Sequence, residues 1–376
     1  MSQQDASPSR AALGATIDPR RQPDAMLRST PETVLWGYLA ANLPPALTIK
    51  SGETVEIEAL SHQGLTTSKN PEEFFAGYGI SSSEVLADAK TVYAEVKRPK
   101  GASVHVLTGP IYVEGAEPGD TLEVRVLDIK FRVPYGVNNT GPGKGVLPAL
   151  LKEPAAKLIR IDLERRVALF SSDIEIPLNP FMGIMAVTPP KSLGMVSSTP
   201  PGAWGGNMDL KFLGIGSTLY LPVFNQGAQF FTGDGHAVQG DGEVDGGAIE
   251  ISLKPTLQFI VHKGKPLKLP RAETATDYFT TGLSVDLNEA TRRGFPKISF
   301  AAIRSFGSRH NGRGPSFSCR VKAVIQSSQR RHLKFFFPLE RLCRNERNPI
   351  DVMLSGAKHL AFSGCCEGEI LRWSLS

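Results

Sequence analysis

The segment TLEVRVLDIKFRV, residues 121–133, alternates apolar and polar side chains and decides the fold class. Its apolar positions are Leu122, Val124 and Val126, followed after a one-residue shift by Leu127, Ile129, Phe131 and Val133. A period of two is typical of a strand with one buried face and one solvent-exposed face, because successive side chains point to opposite faces. The one-residue shift predicts a β-bulge inside the strand.

Similar patterns extend along the chain on either side of this strand. The segments ALTIKSGETVEIEAL (46–60), LIRIDLERRVALF (158–170) and AIEISLKPTLQFIV (248–261) each predict a pair of strands, the first pair as a hairpin around Ser51-Gly52. Helical spacing with capping residues occurs in SSSEVLADAKTVYAEV (81–96) and DLNEATRR (286–293). The predicted fold class is therefore mainly β with some α (α+β), built as β-sandwich or barrel-like layers with few helices.

Length and composition favour a globular protein. A chain of 376 residues can bury large cores, and its 37 glycines and 28 prolines indicate many loops. The chain has no run of 18 apolar residues, so we expect no transmembrane helix and no membrane partner. Residues 1–30 lack the apolar core of a secretion signal. They are predicted to form a flexible leader, and a cytoplasmic location is expected.

Charge and cysteine content divide the chain near residue 291. Residues 291–376 hold 16 Lys and Arg against 5 Asp and Glu, whereas the preceding residues hold 26 against 32. All cysteines lie in this basic tail, at Cys319, Cys343, Cys365 and Cys366. No disulfide framework is therefore expected in the β-rich body, residues 31–290. A basic tail can bind nucleic acid, which is one interpretation of residues 291–376.

The stretch GDGHAVQGDGEV, Gly233–Val244, carries the strongest pattern for chemistry. Asp234 and His236 are two residues apart and would share one face of an extended segment, and Asp241 and Glu243 repeat this spacing. Carboxylate and imidazole together suit a divalent ion such as zinc. A turn rich in Gly and Asp is also typical of a solvated loop, so the spacing alone leaves both interpretations open.

Further candidate ligands lie outside this stretch. They are His105 in VHVLTGP, Glu250 between two isoleucines, and Asn207 and Asp209 after Gly205-Gly206 in PPGAWGGNMD. Each has a plainer alternative, such as a strand histidine, an ion-paired carboxylate or a turn cap. None of the spacings matches a strong metal motif such as HExxH or paired CxxC. The residues alone therefore predict no more than an Asp/His/Glu site in a β-rich protein.

Four segments together resemble the acetamidase/formamidase family, over residues from about Glu32 to about Thr291. They are LPPALTIKSGETV (43–55), HVLTGPIYVEGAEPGDTLEV (105–124), PPGAWGGNMD (200–209) and GSTLYLPVFNQGAQFFTGDGHAVQGDGEVDGGAIE (216–250). The resemblance implies a β-rich hydrolase that converts a short linear amide, such as formamide or acetamide, to a carboxylate and ammonia. It also implies a divalent metal, zinc being expected and calcium the alternative, and a homo-oligomer.

The resemblance makes Asp234, His236, Gln239, Asp241, Glu243 and Glu250 the central positions, and the chemistry of amide hydrolysis leads to a hypothesis about their roles. The expected metal ligands are Asp234, His236, His105, Asp209 and Glu250, with Glu250 alternatively orienting a ligand. The expected catalytic residues are Glu243, Asn207 and Gln239. Among these, Glu243 would move the proton, and Asn207 or a backbone N–H of Gly205-Gly206 would stabilise the oxyanion. The expected substrate-binding residues are Gly205, Gly206, Asp241 and Trp36.

Two departures from the family pattern bear on these expectations. In VLWGYLAANLPPALTI (34–49), Trp36 and Asn42 stand where many members have His and Asp, which resembles a subgroup with a Trp-Gly pair. The tail over 291–376 does not match at all, and we interpret it as an out-of-frame translation that begins near 291–297. The alternative is a genuine nucleic-acid-binding appendage. This interpretation is the weaker one, because the arginines are scattered and form no binding motif.

Other functions are also considered. A serine nucleophile is not expected because the chain lacks a GxSxG elbow, nor a cysteine nucleophile because the body lacks cysteine. The alternatives to a metal-dependent amide hydrolase are a non-catalytic β-rich protein that binds a metal or small ligand and a family member inactivated by its aberrant tail.

Overall fold

Two large β-sheets form the body of the protein. The computed structural model describes residues 22–286, 288–290 and 292–294, together with the backbone of five later strands. In chain order, the strands of the body are β1 (Ala25–Leu27), β2 (Val34–Trp36), β3 (Tyr38–Ala40), β4 (Leu47–Ile49), β5 (Thr54–Ile57), β6 (Val106–Val113), β7 (Thr121–Phe131), β8 (Tyr135–Thr140), β9 (Ala155–Asp162), β10 (Val167–Leu169), β11 (Glu175–Pro177), β12 (Phe181–Ala186), β13 (Met195–Ser197), β14 (Gly205–Asn207), β15 (Thr218–Pro222), β16 (Phe230–His236), β17 (Leu253–His262), β18 (Arg271–Glu273) and β19 (Asp277–Ser284). The later strands are β20 (Ser318–Gln326), β21 (His332–Leu339), β22 (Ile350–Val352), β23 (Leu360–Phe362) and β24 (Ser374–Leu375).

The two large sheets pack face to face. The larger sheet has nine strands in the order β1-β5-β17-β7-β15-β18-β19-β20-β21, and the second has the order β14-β12-β16-β6-β2, with β4 beside β6. Their apolar faces share one core, in which Phe230 of β16 contacts Phe259 of β17 edge to face, 5.0 Å between ring centroids. Strands β8–β11 form a four-stranded sheet, β3 pairs with β13, and β22–β24 form a three-stranded sheet. The predicted mainly β fold class with sandwich-like layers is confirmed.

The segment that predicted the fold class becomes β7, the strand between β17 and β15 in the larger sheet. Leu122, Val124 and Val126 are buried, as the alternation predicted. Opposite β17, Thr256 faces Asp128 and Leu257 faces Val126, so Leu127 is the extra residue. The predicted β-bulge is therefore confirmed at the position where the apolar phase shifts.

The turn at Ser51-Gly52 joins β4 to β5, but these strands do not form the predicted hairpin. Strand β4 pairs in parallel with β6 in the second sheet, whereas β5 pairs with β1 and β17 in the larger sheet. The segment thus crosses from one layer of the sandwich to the other. Local alternation predicted both strands, but it contains no information about which strand is the neighbour.

A helical segment lies between β5 and β6. It contains α1 (Pro71–Ala76), a 3₁₀ turn (Ser82–Glu84) and α2 (Ala87–Glu95), and a second 3₁₀ turn spans Lys191–Leu193. The single helix predicted over 81–96 is therefore divided, because Val85 and Leu86 have ψ values of 128° and 131°, outside the helical range. Asn70 caps α1 by accepting a hydrogen bond from the backbone N–H of Glu73.

The β-rich body begins before residue 31, the start predicted from the sequence. Residues 25–27 of the predicted leader form β1, and the backbone N–H of Asp24 donates to the carbonyl of Thr54. A strand of three residues is too short for its alternation to be recognised. Residues 1–21 and the side chains of the later strands lie outside the described residues, and with them the predictions of a flexible leader and an out-of-frame tail. In the described part of the chain, no helix is long and apolar enough to cross a membrane.

Candidate metal centre

The GDGH segment forms the end of β16, which lies between β12 and β6 in the second sheet. All seven residues of β16 are buried, so Asp234 and His236 are held away from solvent. His236 Nε2 lies 3.5 Å from Asp234 Oδ2. Asp234 has a φ of 58°, a left-handed conformation that non-glycine residues adopt rarely and that is enriched at functional sites.

Two further predicted ligands converge on this pair. Glu250 forms isolated β-bridges with Val137 and His236, and its Oε2 lies 3.3 Å from His236 Nε2. His105 directly precedes β6, and its Nε2 lies 3.9 Å from Asp234 Oδ2. The structure therefore gathers one carboxylate and one imidazole from outside the GDGH segment around Asp234 and His236.

His62 completes the cluster and was missed in the sequence. Its Nδ1 lies 3.8 Å from Asp234 Oδ1 and 4.0 Å from Glu250 Oε2. It lies in a loop between β5 and α1, in the sequence SHQG, with no regular spacing to any other candidate. The only local signal is a histidine beside a glycine turn after a strand, which does not distinguish a ligand from a loop residue.

Asp209 approaches the other side of Asp234. Two groups of residues each have ligand atoms that all lie within 4.8 Å of one another. The first group is His62, Asp234 and Glu250, and the second is Asp209, Asp234 and His236. Gly183 of β12 makes this approach feasible, since a Cβ at this position would lie 2.6 Å from Asp209 Oδ1 and 2.7 Å from Asp234 Oδ2. Sequence reasoning also missed Gly183, because nothing distinguishes it from other strand glycines.

Hydrogen bonds fix the orientation of two imidazole rings. Gln239 Nε2 donates to the carbonyl oxygen of Asp209 at 3.0 Å, so its Oε1 is the atom that meets His236 Nδ1 at 3.0 Å. His236 Nδ1 must therefore carry the hydrogen, and Nε2 faces the carboxylates. His105 Nδ1 lies 3.0 Å from the hydroxyls of both Ser103 and Ser198, which leaves its Nε2 directed toward Asp234.

Burial and charge shift the protonation equilibria of the cluster. Burial lowers the pKa of His105 to about 4, although the Asp234 carboxylate opposes this shift. Burial also lowers the pKa of His236, but Glu250 and Asp234 outweigh it and hold the pKa well above 6.5. For Asp234, burial favours the protonated form, and the charges of His105 and His236 more than compensate, so its pKa is lowered. The cluster is thus built to concentrate negative charge beside imidazole nitrogens.

Three atoms of the cluster face one another without hydrogen-bond partners. They are His62 Nδ1, His236 Nε2 and Glu250 Oε2, all buried. Buried polar atoms in folded proteins nearly always have a partner, because an unpaired one costs about 1–3 kcal/mol. Imidazole nitrogens and carboxylate oxygens are ligand atoms for divalent cations. The arrangement is therefore chemically suited to hold a cation between these atoms.

The remaining predicted site residues lie around this cluster. Asn207 is buried on β14, where its Nδ2 donates to the carbonyl of Thr199 and its Oδ1 has no hydrogen-bond partner. Gly205 and Gly206 on the same strand have φ values of 88° and 91°, which glycine adopts readily. The indole N–H of Trp204, just before them, is also buried without a partner.

Three further predicted residues lie in the turn after β16 and on β2. Glu243 is half-buried in the turn after β16, with a φ of 45°, and Asp241 in the same turn is mostly exposed and pairs with Lys211 Nζ at 2.9 Å. Trp36 is 3% exposed, donates its indole N–H to the carbonyl of Val104, and packs in a separate apolar cluster with Leu60. The role of Asp241 and Trp36 in substrate binding stays a prediction.

Comparison with known proteins identifies one family. Residues 83–198 and 194–293 match the model of the Acetamidase/Formamidase family. An acetamidase from Mycolicibacterium smegmatis is 28% identical over 321 residues, which cover 67% of this chain and 74% of the relative. A formamidase from Methylophilus methylotrophus is 29% identical over 271 residues, which cover 56% of this chain and only 60% of the relative. The crystal structure of an acetamidase from Bacillus halodurans is similar with a TM-score of 0.60 and 29% identity, over 74% of this chain and 84% of that chain.

Proposed function

Because the chain belongs to the acetamidase/formamidase family, we propose that it hydrolyses a short linear amide to a carboxylate and ammonia. The names of its relatives, an acetamidase and a formamidase, support this reaction. The reaction is a hydrolysis of a carbon–nitrogen bond outside peptides. Formamide and acetamide are the substrates to test first.

The observation that carries this proposal is the convergence of His62, His236 and Glu250 on one buried space beside Asp234. An amide is a weak electrophile with a poor leaving group. Its hydrolysis therefore needs stabilisation of the developing charge and a controlled proton transfer. A buried cluster of imidazoles and carboxylates can supply both.

We also propose that this cluster holds a divalent cation. His62, His236, Asp234 and Glu250 would bind it, with His105 and Asp209 beside them. The fit rests on the three buried atoms without hydrogen-bond partners, His62 Nδ1, His236 Nε2 and Glu250 Oε2. A ligand set rich in imidazole favours zinc over calcium, which prefers oxygen ligands. When bound, such a cation polarises a carbonyl and lowers the pKa of water toward about 7.

The chain's own residues then bind the amide and move the proton. Asn207 uses its Nδ2 to donate to Thr199, which leaves Oδ1 to accept from the N–H of an amide. Gln239 keeps the hydrogen of His236 on Nδ1 and so keeps Nε2 directed at the carboxylates. Glu243 is the proposed proton acceptor, and it would return the proton to the leaving nitrogen.

Ammonia release from formamide, acetamide and larger amides tests this function on the purified protein, with and without a chelator. Release that stops with the chelator and returns with zinc is the expected result. Release that the chelator does not affect would reject the cation while keeping the amidase. No release from a folded, zinc-loaded protein would reject the amidase and favour the second candidate, a non-catalytic protein that binds a metal at the same cluster.

The variants Glu243→Gln and Glu250→Gln distinguish the proton acceptor from a ligand. Glu243→Gln is expected to lose turnover and keep its bound metal. Glu250→Gln is expected to lose metal, because its Oε2 lies 3.3 Å from His236 Nε2 in the cluster. Metal content and ammonia release are measured on the same samples. Loss of metal from Glu243→Gln would make Glu243 a ligand and leave the proton acceptor to be assigned elsewhere.

A further inference from the structure

A small cavity adjoins the cluster on the side of Glu250. Its volume is about 20 Å³, and Glu250 forms part of its wall. Ser61 and Gln63, the residues on either side of His62, line it as well. The wall of the cavity therefore includes one residue of the proposed reaction centre, Glu250, and the two sequence neighbours of another, His62.

The far wall of the cavity is apolar and comes from the helical segment. Phe75 of α1, Ala89 of α2, and Val85 and Leu86 between the helices line it, opposite Tyr135 of β8. Phe75 also packs against Tyr135, with 5.1 Å between ring centroids. The backbone is non-helical at Val85 and Leu86, between the two helices. An apolar wall of this kind accommodates hydrocarbon and leaves a polar group without partners.

The near end of the cavity is polar. Ser252 Oγ accepts a hydrogen bond from the backbone N–H of Ser61 at 2.9 Å, and Ser61 Oγ accepts from the N–H of Gln63 at 3.3 Å. Because each hydroxyl oxygen accepts a hydrogen bond from the backbone, its hydrogen is available for donation to a ligand. The cavity thus has hydrogen-bonding groups beside the cluster and hydrocarbon at its end, as a carbonyl compound with a short alkyl group requires.

We propose that this cavity receives the alkyl part of the acyl group, and that Val85, Leu86 and Ala89 limit its length. This inference rests on the proposed amidase function and adds the residues that select the substrate. A cavity of about 20 Å³ has room for a group of the size of one water molecule, since about 10–15 Å³ is enough for a water. The methyl group of acetamide fits this space, whereas each further methylene exceeds it.

The decisive experiment replaces one cavity-lining valine by alanine and makes the same substitution at a valine outside the cavity as the control. Val85→Ala removes wall from the end of the cavity. Val223→Ala makes the same change at a buried position directly after β15, which does not line the cavity. We expect Val85→Ala to raise kcat/KM for propionamide relative to acetamide by about tenfold, the lower range for one methylene in an apolar pocket. Val223→Ala is expected to leave this ratio unchanged.

A second variant acts in the opposite direction. Ala89→Leu fills the cavity and is expected to lower kcat/KM for acetamide at least tenfold while formamide turnover persists. Thermal unfolding of each variant verifies that it is folded. Equal ratios for wild type, Val85→Ala and Ala89→Leu, with all three folded and active, would overturn the assignment of the cavity while the amidase function stands.

Binding of product carboxylates gives a readout that does not depend on turnover. Acetate is expected to raise the melting temperature of the metal-loaded wild-type protein more than propionate or butyrate. Val85→Ala is expected to reduce this difference, and Val223→Ala to retain it. If the wild type releases no ammonia from any amide, the amidase function fails. If the wild-type protein releases ammonia but binds all three carboxylates equally, the acyl pocket fails alone.

Discussion

At the scale of single residues, the centre depends on a position that has no side chain. A Cβ atom at Gly183 would lie 2.6 Å from Asp209 Oδ1 and 2.7 Å from Asp234 Oδ2, which is too close for either contact. Both carboxylates are held on buried backbone, so they cannot move aside as the end of a flexible surface side chain could. Gly183→Ala is therefore expected to displace the two carboxylates, with at least a tenfold loss of cation affinity and of ammonia release.

The matched control for this variant is Gly240→Ala. A Cβ at Gly240 meets no atom within 4 Å, although this glycine lies in the turn after β16. Metal content by elemental analysis and unfolding by circular dichroism are measured for both variants. A folded Gly183→Ala protein with full metal content would show that Asp209 and Asp234 do not need their present separation.

Gln239 is the second residue whose change tests the centre. Its amide connects His236 Nδ1 to the carbonyl oxygen of Asp209, and Gln239→Leu removes both hydrogen bonds. Loss of a group that orients a metal ligand typically weakens metal binding about 10–100-fold. We expect this loss for Gln239→Leu, and partial recovery in Gln239→Glu, whose carboxylate can still accept from Nδ1–H.

Competition with a coloured chelator measures the affinities of these proteins for zinc. Gln258→Leu is the control, since the Gln258 amide donates to the carbonyl of Gly52 on the surface of β17. An unchanged affinity in Gln239→Leu would mean that the ring of His236 needs no help from this amide.

The residue scale also shows what the sequence could and could not predict about the site. Asp234, His236, Glu250, His105 and Asp209 were predicted, and the structure brings their side chains together. His62 was not predicted, because its approach to Asp234 results from the packing of a loop against β16, far along the chain. Ligands that meet through tertiary packing have no common local spacing, and a resemblance identifies only those in recognisable motifs.

At the scale of elements, the contact between β15 and β18 places a carboxyl group in a poorly solvated position. Tyr220 donates its hydroxyl to Glu273 Oε1 at 2.7 Å. Burial raises the pKa of Glu273 above its usual 4.5, with a further contribution from the nearby Glu123 carboxylate. Because the folded state holds the proton more tightly, stability from this group is present below pH 4.5 and is lost as the pH rises through the folded pKa.

Glu273→Gln should abolish this loss while keeping an oxygen that accepts from Tyr220. We expect wild type and Glu273→Gln to have similar melting temperatures at pH 4, and the variant to become the more stable of the two as the pH rises toward 7. Glu95→Gln, at the exposed end of α2, serves as the control for removing one negative charge. A difference in melting temperature between wild type and Glu273→Gln that is constant from pH 4 to 7 would contradict the sign of this shift.

The elements also mark the limit of periodicity as a predictor. Alternation predicted β7 and located its bulge at Leu127, because burial of one face is a local property of a strand. It misjudged β4 and β5, since the pairing of each strand depends on residues far away in the chain. The predicted helix is divided at Val85 and Leu86, and both side chains line the cavity. These contacts are with residues far away in the chain, so periodicity does not predict them.

At the scale of the whole molecule, the proposed cation would connect parts of the chain that lie far apart in sequence. His62 precedes the helical segment, Asp234 lies on β16 in the second sheet, and Glu250 follows the turn after β16. A cation bound by all three stabilises only the folded chain, because the unfolded chain does not hold them together. Stability of the entire body is therefore expected to depend on the concentration of the metal.

Zinc added to metal-free protein tests this dependence. At about 100 times the dissociation constant, binding adds about 2.7 kcal/mol to the free energy of unfolding. For a body of this size, that corresponds to a rise in melting temperature of about 5–10 °C. Calcium at the same concentration as zinc is expected to give a smaller rise, because imidazole is a poor calcium ligand and calcium therefore binds more weakly.

His62→Ala and His262→Ala separate this cluster from other histidines in the same measurement. His262 lies on β17 beside Glu123, in the larger sheet and away from the cluster. Zinc is expected to raise the melting temperature of His262→Ala as much as that of wild type, and to raise that of His62→Ala by less at equal zinc concentration. Equal rises in both variants would remove His62 from the ligand set, and no rise in wild type would remove the cation itself from the proposal.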